Sequence, residues 1–82
     1  MNKSELLDLV KKNFTEEFEI EEFTIKPDTN LVTDLGLDSI DALDMAGIIE
    51  DQLDIEVNEE ELKPIRTVSD VVDYLFKKIS KK

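Results

Sequence analysis

The chain has 82 residues, no cysteine, no histidine and a formal net charge of −11. That length predicts one domain with a small core, and the missing residue types exclude disulfides, thiolate or imidazole metal sites, and Ser-His or Cys-His catalysis within the chain. No apolar run is long enough to span a bilayer and MNKSELLDLVKK has no signal-peptide core, so a soluble, cytoplasmic, monomeric protein is expected.

Residues 3–15 read as a first helix. Leu6, Leu7, Val10 and Phe14 recur at helical spacing, with Glu5, Asp8, Lys11 and Lys12 off that stripe. Asn2 and Glu5 have the spacing of a capping box. Residues 16–37 read as a long connection. Phe18, Ile20, Phe23 and Ile25 alternate with acids, which hints at a strand, but a lone short strand has nothing to pair with. The expectation is an extended loop whose apolar residues dock on a bundle. Pro27 stops any helix, Asp28-Thr29-Asn30 is turn-like, and Gly36 permits a positive φ just before the next helix.

Residues 39–53 read as the second helix. At 100° per residue, Ala42, Met45, Ala46, Ile49 and Leu53 form the core face. The opposite face carries Ile40, Asp41, Asp44, Gly47 and Asp51. An isoleucine framed by carboxylates at a helix start is a candidate partner contact. Asn58 caps a short third helix, with Glu61 in the reciprocal position and Pro64 ending it. Thr67-Val-Ser-Asp70 opens the fourth helix in the same way, and Val68, Val71, Val72, Leu75 and Ile79 form its buried stripe. Asp70 and Asp73 near its start, and Lys77, Lys78, Lys81 and Lys82 near its end, suit the helix dipole. The fold class is therefore all-α: a small bundle of three longer helices and one short helix, with a long first loop.

The charge is concentrated in one block. From Asp28 to Leu62 there are twelve acids and no base, while the other residues carry nine acids and ten bases. This block repels nucleic acid and anionic membranes and attracts basic patches on partner proteins. Solubility alone explains a net charge, but not a central segment with no Lys or Arg.

The segment that carries chemistry is Asp34-Leu35-Gly36-Leu37-Asp38-Ser39-Ile40-Asp41. A serine at a helix start is most often a cap. Here Asp38 is placed to cap through the amide of Asp41 or its neighbour, leaving Ser39 as the first helical residue with its hydroxyl free and outward. Ser39 has no general base, and its acidic surroundings disfavour an alkoxide. It is a poor nucleophile, better read as another enzyme's substrate. A calcium loop begun at Asp34 fails, with Ser39 in place of glycine at its sixth position and Met45 in place of the bidentate Glu. No metal site and no catalytic residue are assigned.

D-L-G-L-D-S-I-D followed by an acidic amphipathic helix resembles the phosphopantetheine attachment signature of acyl carrier proteins. The likeness runs from about Leu31 to Leu75 and takes in I-E-V-N-E-E-E-L and R-T-V-S-D-V-V-D-Y-L. The resemblance implies a single acyl carrier domain over residues 1–82, a carrier and not an enzyme. It implies that a phosphopantetheinyl transferase esterifies Ser39 with the phosphopantetheinyl group of coenzyme A, and that the arm's thiol then holds acyl groups as thioesters. Asp38 matches the aspartate that supports metal and recognition in the transferase complex. Ile40, Asp41, Asp44, Gly47, Glu50 and Asp51 match the partner-docking helix, and Glu59 and Glu60 match acidic positions that partners also touch. The implied partners are that transferase and acyl-loading and synthase enzymes with basic docking patches. An acyl chain is expected to slip between helices lined by Met45, Ile49, Leu62 and Val68.

The sequence also departs from the family pattern. Gly47 stands where many members have a larger apolar residue, Asn58 where proline is common, and T-E-E-F-E-I-E-E-F-T-I replaces the usual L-G-V junction. Fatty-acid or related discrete-enzyme biosynthesis is the leading reading. Carriage of polyketide, aminoacyl or D-alanyl groups, or an unmodified acidic adaptor, are the alternatives.

Overall fold

A computed structural model describes residues 1–80, and of Ser39 the backbone alone. Lys81 and Lys82, part of the expected C-terminal charge on the last helix, lie outside the described residues. Within them are α1 (Lys3–Phe18), α2 (Ser39–Leu53), α3 (Glu59–Leu62) and α4 (Val68–Ser80), with a 3₁₀ turn at Glu22–Thr24. The described residues hold no strand, only an isolated antiparallel bridge between Asn30 and Thr67. The architecture is the expected one.

α1 starts where its capping box places it. Glu5 donates its amide to Asn2 Oδ1 and Asn2 donates its amide to Glu5 Oε1, both at 2.9 Å. It ends three residues later than the periodicity predicts, because Phe18 packs on Phe14 one turn earlier, with ring centroids 6.1 Å apart. Glu19 then leaves the helix in the left-handed region, at φ 56°. Phe18 is therefore helical and no part of an alternating strand. In the connection, Ile25 is buried and Ile20 half-buried, as docking requires, but Phe23 is 74% exposed on the 3₁₀ turn. That turn breaks the alternation and swings the Phe23 side chain outward.

Leu6, Val10 and Phe14 of α1, Met45 and Ile49 of α2, and Val68, Val72 and Leu75 of α4 share one core with Ile25, Leu31 and Leu37 from the connection. α1 lies chiefly on α4. Its register against α2 is set by an amide pair that joins buried Asn13 to exposed Gln52: Asn13 Nδ2 donates to Gln52 Oε1 (2.8 Å), and Gln52 Nε2 donates to Asn13 Oδ1 (3.2 Å). An unpaired Asn13 would cost about 1–3 kcal/mol, so this pair specifies the packing.

The long connection is pinned to the start of α4 by backbone bonds. Leu31 donates to Arg66 O (2.9 Å), Val68 to Thr29 O (3.0 Å) and Ser69 to Pro27 O (2.8 Å). Thr29 is buried, its hydroxyl accepting from the Lys26 amide (2.8 Å) and donating to Thr24 O (3.1 Å). α4 begins with the expected reciprocal cap, in which Asp70 N donates to Thr67 Oγ1 (3.2 Å) and Thr67 N to Asp70 Oδ2 (3.1 Å). α3 differs. The Asn58 side chain accepts from Glu60 N at 2.9 Å, but the Glu61 carboxylate does not serve as the reciprocal cap. It is drawn away by the Tyr74 hydroxyl and Lys78 on α4.

Candidate functional site

The approach to α2 is tied into a tight knot. Asn30 Oδ1 accepts from the amides of Val32 and Thr33, Asp34 Oδ2 accepts from Asn30 N (2.8 Å), and Leu37 donates back to Leu31 O (2.9 Å). Gly36 takes φ 69°, a region that an L side chain rarely enters, and turns the chain into the helix. Asp38 then caps α2. Its Oδ1 accepts from Asp41 N (3.0 Å) while Asp41 Oδ2 accepts from Asp38 N (3.2 Å).

This places Ser39 as the first helical residue, as the sequence predicts, with Asp38 and Asp41 holding the turn around it. The expectation that its hydroxyl stands free and outward lies outside the described residues. Helix starts leave first-turn amides without intrahelical partners. Together with the dipole, these make residue 39 a favourable place for a negatively charged substituent. The Asp38 and Asp41 carboxylates offset part of that advantage.

Behind this turn opens an apolar cleft of about 420 Å³. Asp38, Asp41 and Ala42 border it at the Ser39 end, and Phe14, Met45, Ile49, Leu62 and Leu75 line it further in. Three of the four residues expected to line an inter-helix passage do so. Val68 does not: it is fully buried in the core, and Val71, three residues further along α4, takes its place. The valine run in α4 satisfies either choice, and only the rotation of the helix decides.

The exposed face of α2 carries Ile40, 69% exposed, with Asp44, Gly47 and Asp51. The carboxylates of Asp44 and Asp51 have no hydrogen-bond or ion-pair partner among the described residues. Asp41 is half-buried and engaged in the cap, so part of its charge is already committed. Glu50 is half-buried, Glu59 is exposed, and Glu60 pairs with Lys63 at 3.2 Å. The sequence reading misses two exposed apolar neighbours, Leu43 and Val32. Leu43 lies three residues after Ile40 and four before Gly47, so the spacing that singled out Ile40 also points to it. Val32 carries no such signal, because it lies in the loop. The reading also misses Lys63 and Arg66, bases just beyond the acidic block, which border the cleft as Asp38, Asp41 and Glu59 do.

A family model described as the phosphopantetheine attachment site matches residues 8–75. Among solved structures, the chain is similar to an acyl carrier protein from Thermotoga maritima. The TM-score is 0.87 at 27% sequence identity, covering 99% of this chain and 94% of that one. It is also similar to a free-standing peptidyl carrier protein from an uncharacterized Acinetobacter baumannii secondary metabolic pathway. There the TM-score is 0.78 at 30% identity, covering 93% of this chain and 94% of that one.

Proposed function

Because the chain belongs to the phosphopantetheine attachment-site family, as a carrier and not a catalyst, we propose that residues 1–82 act as one acyl carrier unit with Ser39 as its point of attachment. The observation that carries this reading is the position of Ser39: first residue of α2, between two capping aspartates that themselves border an apolar cleft. When bound, phosphopantetheine supplies a flexible arm whose thiol carries acyl groups as thioesters. The residues present fit it. The helix start favours its phosphate, and the cleft offers an apolar refuge that begins beside it.

Attachment is a phosphoryl transfer. The Ser39 oxygen bonds to the pantetheine phosphorus, the pyrophosphate bond of coenzyme A breaks, and adenosine 3′,5′-bisphosphate leaves. No base on this chain is assigned to take the serine proton, so the transferase must supply one. Asp38 is proposed to serve twice, holding the turn and supporting metal and recognition in the transferase complex. Ile40 and Leu43, with Asp44, Gly47 and Asp51, form the face offered to partners, with Glu50, Glu59 and Glu60 beside it. Rim carboxylates facing basic patches give fast encounter and modest affinity, which suits a carrier that must leave one enzyme for the next. Fatty-acid or related biosynthesis by discrete, cytoplasmic enzymes is the pathway we favour. A second reading, carriage of aminoacyl groups, is favoured by the likeness to the peptidyl carrier protein.

The deciding experiment is intact mass spectrometry after incubation with coenzyme A and a broad-specificity phosphopantetheinyl transferase. Wild-type protein is expected to gain one phosphopantetheinyl group and Ser39→Ala none. No gain in the wild type would overturn the carrier reading and favour an unmodified acidic adaptor. Offering the loaded protein to fatty-acid loading enzymes, and separately to aminoacyl-activating ones, distinguishes the pathways.

A further inference from the structure

α3 is a single turn of four residues, Glu59–Leu62, and a helix of that length has no stability of its own. It nevertheless forms one wall of the cleft through Leu62, so what holds it in place controls the space behind it. The polar tie is concentrated on α4. The Tyr74 hydroxyl accepts from Asn58 N (3.3 Å) and donates to Glu61 Oε1 (2.9 Å), gripping α3 at its cap and in its last turn. Lys78 Nζ lies 2.8 Å from the same Glu61 oxygen and 5.6 Å from the Tyr74 ring centroid. Burial holds the Tyr74 hydroxyl above its ordinary range, so it stays protonated and able to donate. Tyr74 itself borders the cleft. The group that fastens α3 is therefore also a group that cargo would touch.

We propose that Tyr74, Glu61 and Lys78 form a latch that fastens α3 to α4 and sets how readily the α3 wall yields to an acyl chain. The role of cargo in this proposal rests on the carrier reading, but the fastening itself does not. Tyr74→Phe removes the hydroxyl and keeps the ring, and Lys78→Met removes the charge and keeps most of the stem. Hydrogen exchange read by mass spectrometry on the full chain tests both. Losing one such bond is worth about fivefold in a local opening equilibrium. Peptides covering 57–63 should therefore exchange about fivefold faster in Tyr74→Phe, and measurably faster in Lys78→Met, with α1 unchanged. Lys3→Met, which breaks the Lys3–Asp73 pair between α1 and α4, is the control and should leave α3 unchanged.

Wild-type α3 exchange in both latch variants, or equal acceleration in Lys3→Met, overturns the latch. If Tyr74→Phe does not fold, Lys78→Met decides alone. In the wild type, loading with an octanoyl group should accelerate α3 exchange, and much less so in the variants. Unchanged wild-type α3 exchange on loading overturns the coupling to cargo. Failure to load at all is a failure of the carrier reading, and the unloaded comparison still decides the latch.

Discussion

Replacing Gly47 with alanine adds one methyl group at the ninth residue of α2, where a Cβ would meet nothing within 4 Å. The position is exposed and helical, so the substitution neither clashes nor buries new surface. What remains is the conformational term. Glycine in a helix interior is less favourable than alanine by about 0.8–1.0 kcal/mol, because the unfolded chain loses more freedom on becoming helical. An exposed site with no compensating contact should show most of that, roughly 0.5–1 kcal/mol. In a chain of this size 1 kcal/mol moves the melting temperature by about 4–8 °C, so Gly47→Ala should melt about 2–8 °C higher. Thermal and urea unfolding followed by far-UV circular dichroism measure it, with the urea m-value unchanged. An unchanged or lowered melting temperature refutes the reasoning. The same variant probes docking: if the missing side chain lets a partner approach closely, acyl transfer by that partner should slow even as stability rises.

Two further outcomes are expected. The Asp70 carboxylate is held below its ordinary pKa, first by the backbone amide of Arg66 and then by that of Thr67. A lowered folded-state pKa gives stability that is present above the unfolded value and is lost as pH falls through the folded one. Asp70→Ala should therefore cost roughly 1 kcal/mol at neutral pH, and its deficit against wild type should close as unfolding is measured at pH values below the ordinary aspartate range; a deficit independent of pH would sink this account. The twelve acids between Asp28 and Leu62 repel one another. Lys63 and Lys78 pair with Glu60 and Glu61 at the α3 edge, but the carboxylates of Asp44 and Asp51 on α2 have no ion-pair partner among the described residues. Raising ionic strength from about 0.01 to about 0.15 M, or adding magnesium, should therefore raise the melting temperature, and a flat melting curve would count against self-repulsion.

Much of this protein is legible without coordinates because its determinants are local. The capping boxes at Asn2–Glu5, Asp38–Asp41 and Thr67–Asp70 join residues three apart, so spacing alone reveals where α1, α2 and α4 begin. The apolar faces of the longer helices follow from a 3.6-residue period, and the position of Ser39 follows from Gly36 and Asp38 just before it. The acidic block is a property of composition. What tertiary structure decides involves partners far apart in the chain. Asn13 meets Gln52 39 residues away, and Glu61 turns to Tyr74 13 residues away instead of capping α3. Val71 and not Val68 faces the cleft because packing sets the rotation of α4, and Phe23 points outward because a 3₁₀ turn interrupts the loop. Local hydrogen-bond geometry and side-chain period act over three or four residues and leave a direct mark on the sequence. The cleft and the fastening of α3 arise only where separate elements meet, and many sequences with the same period would place those side chains differently.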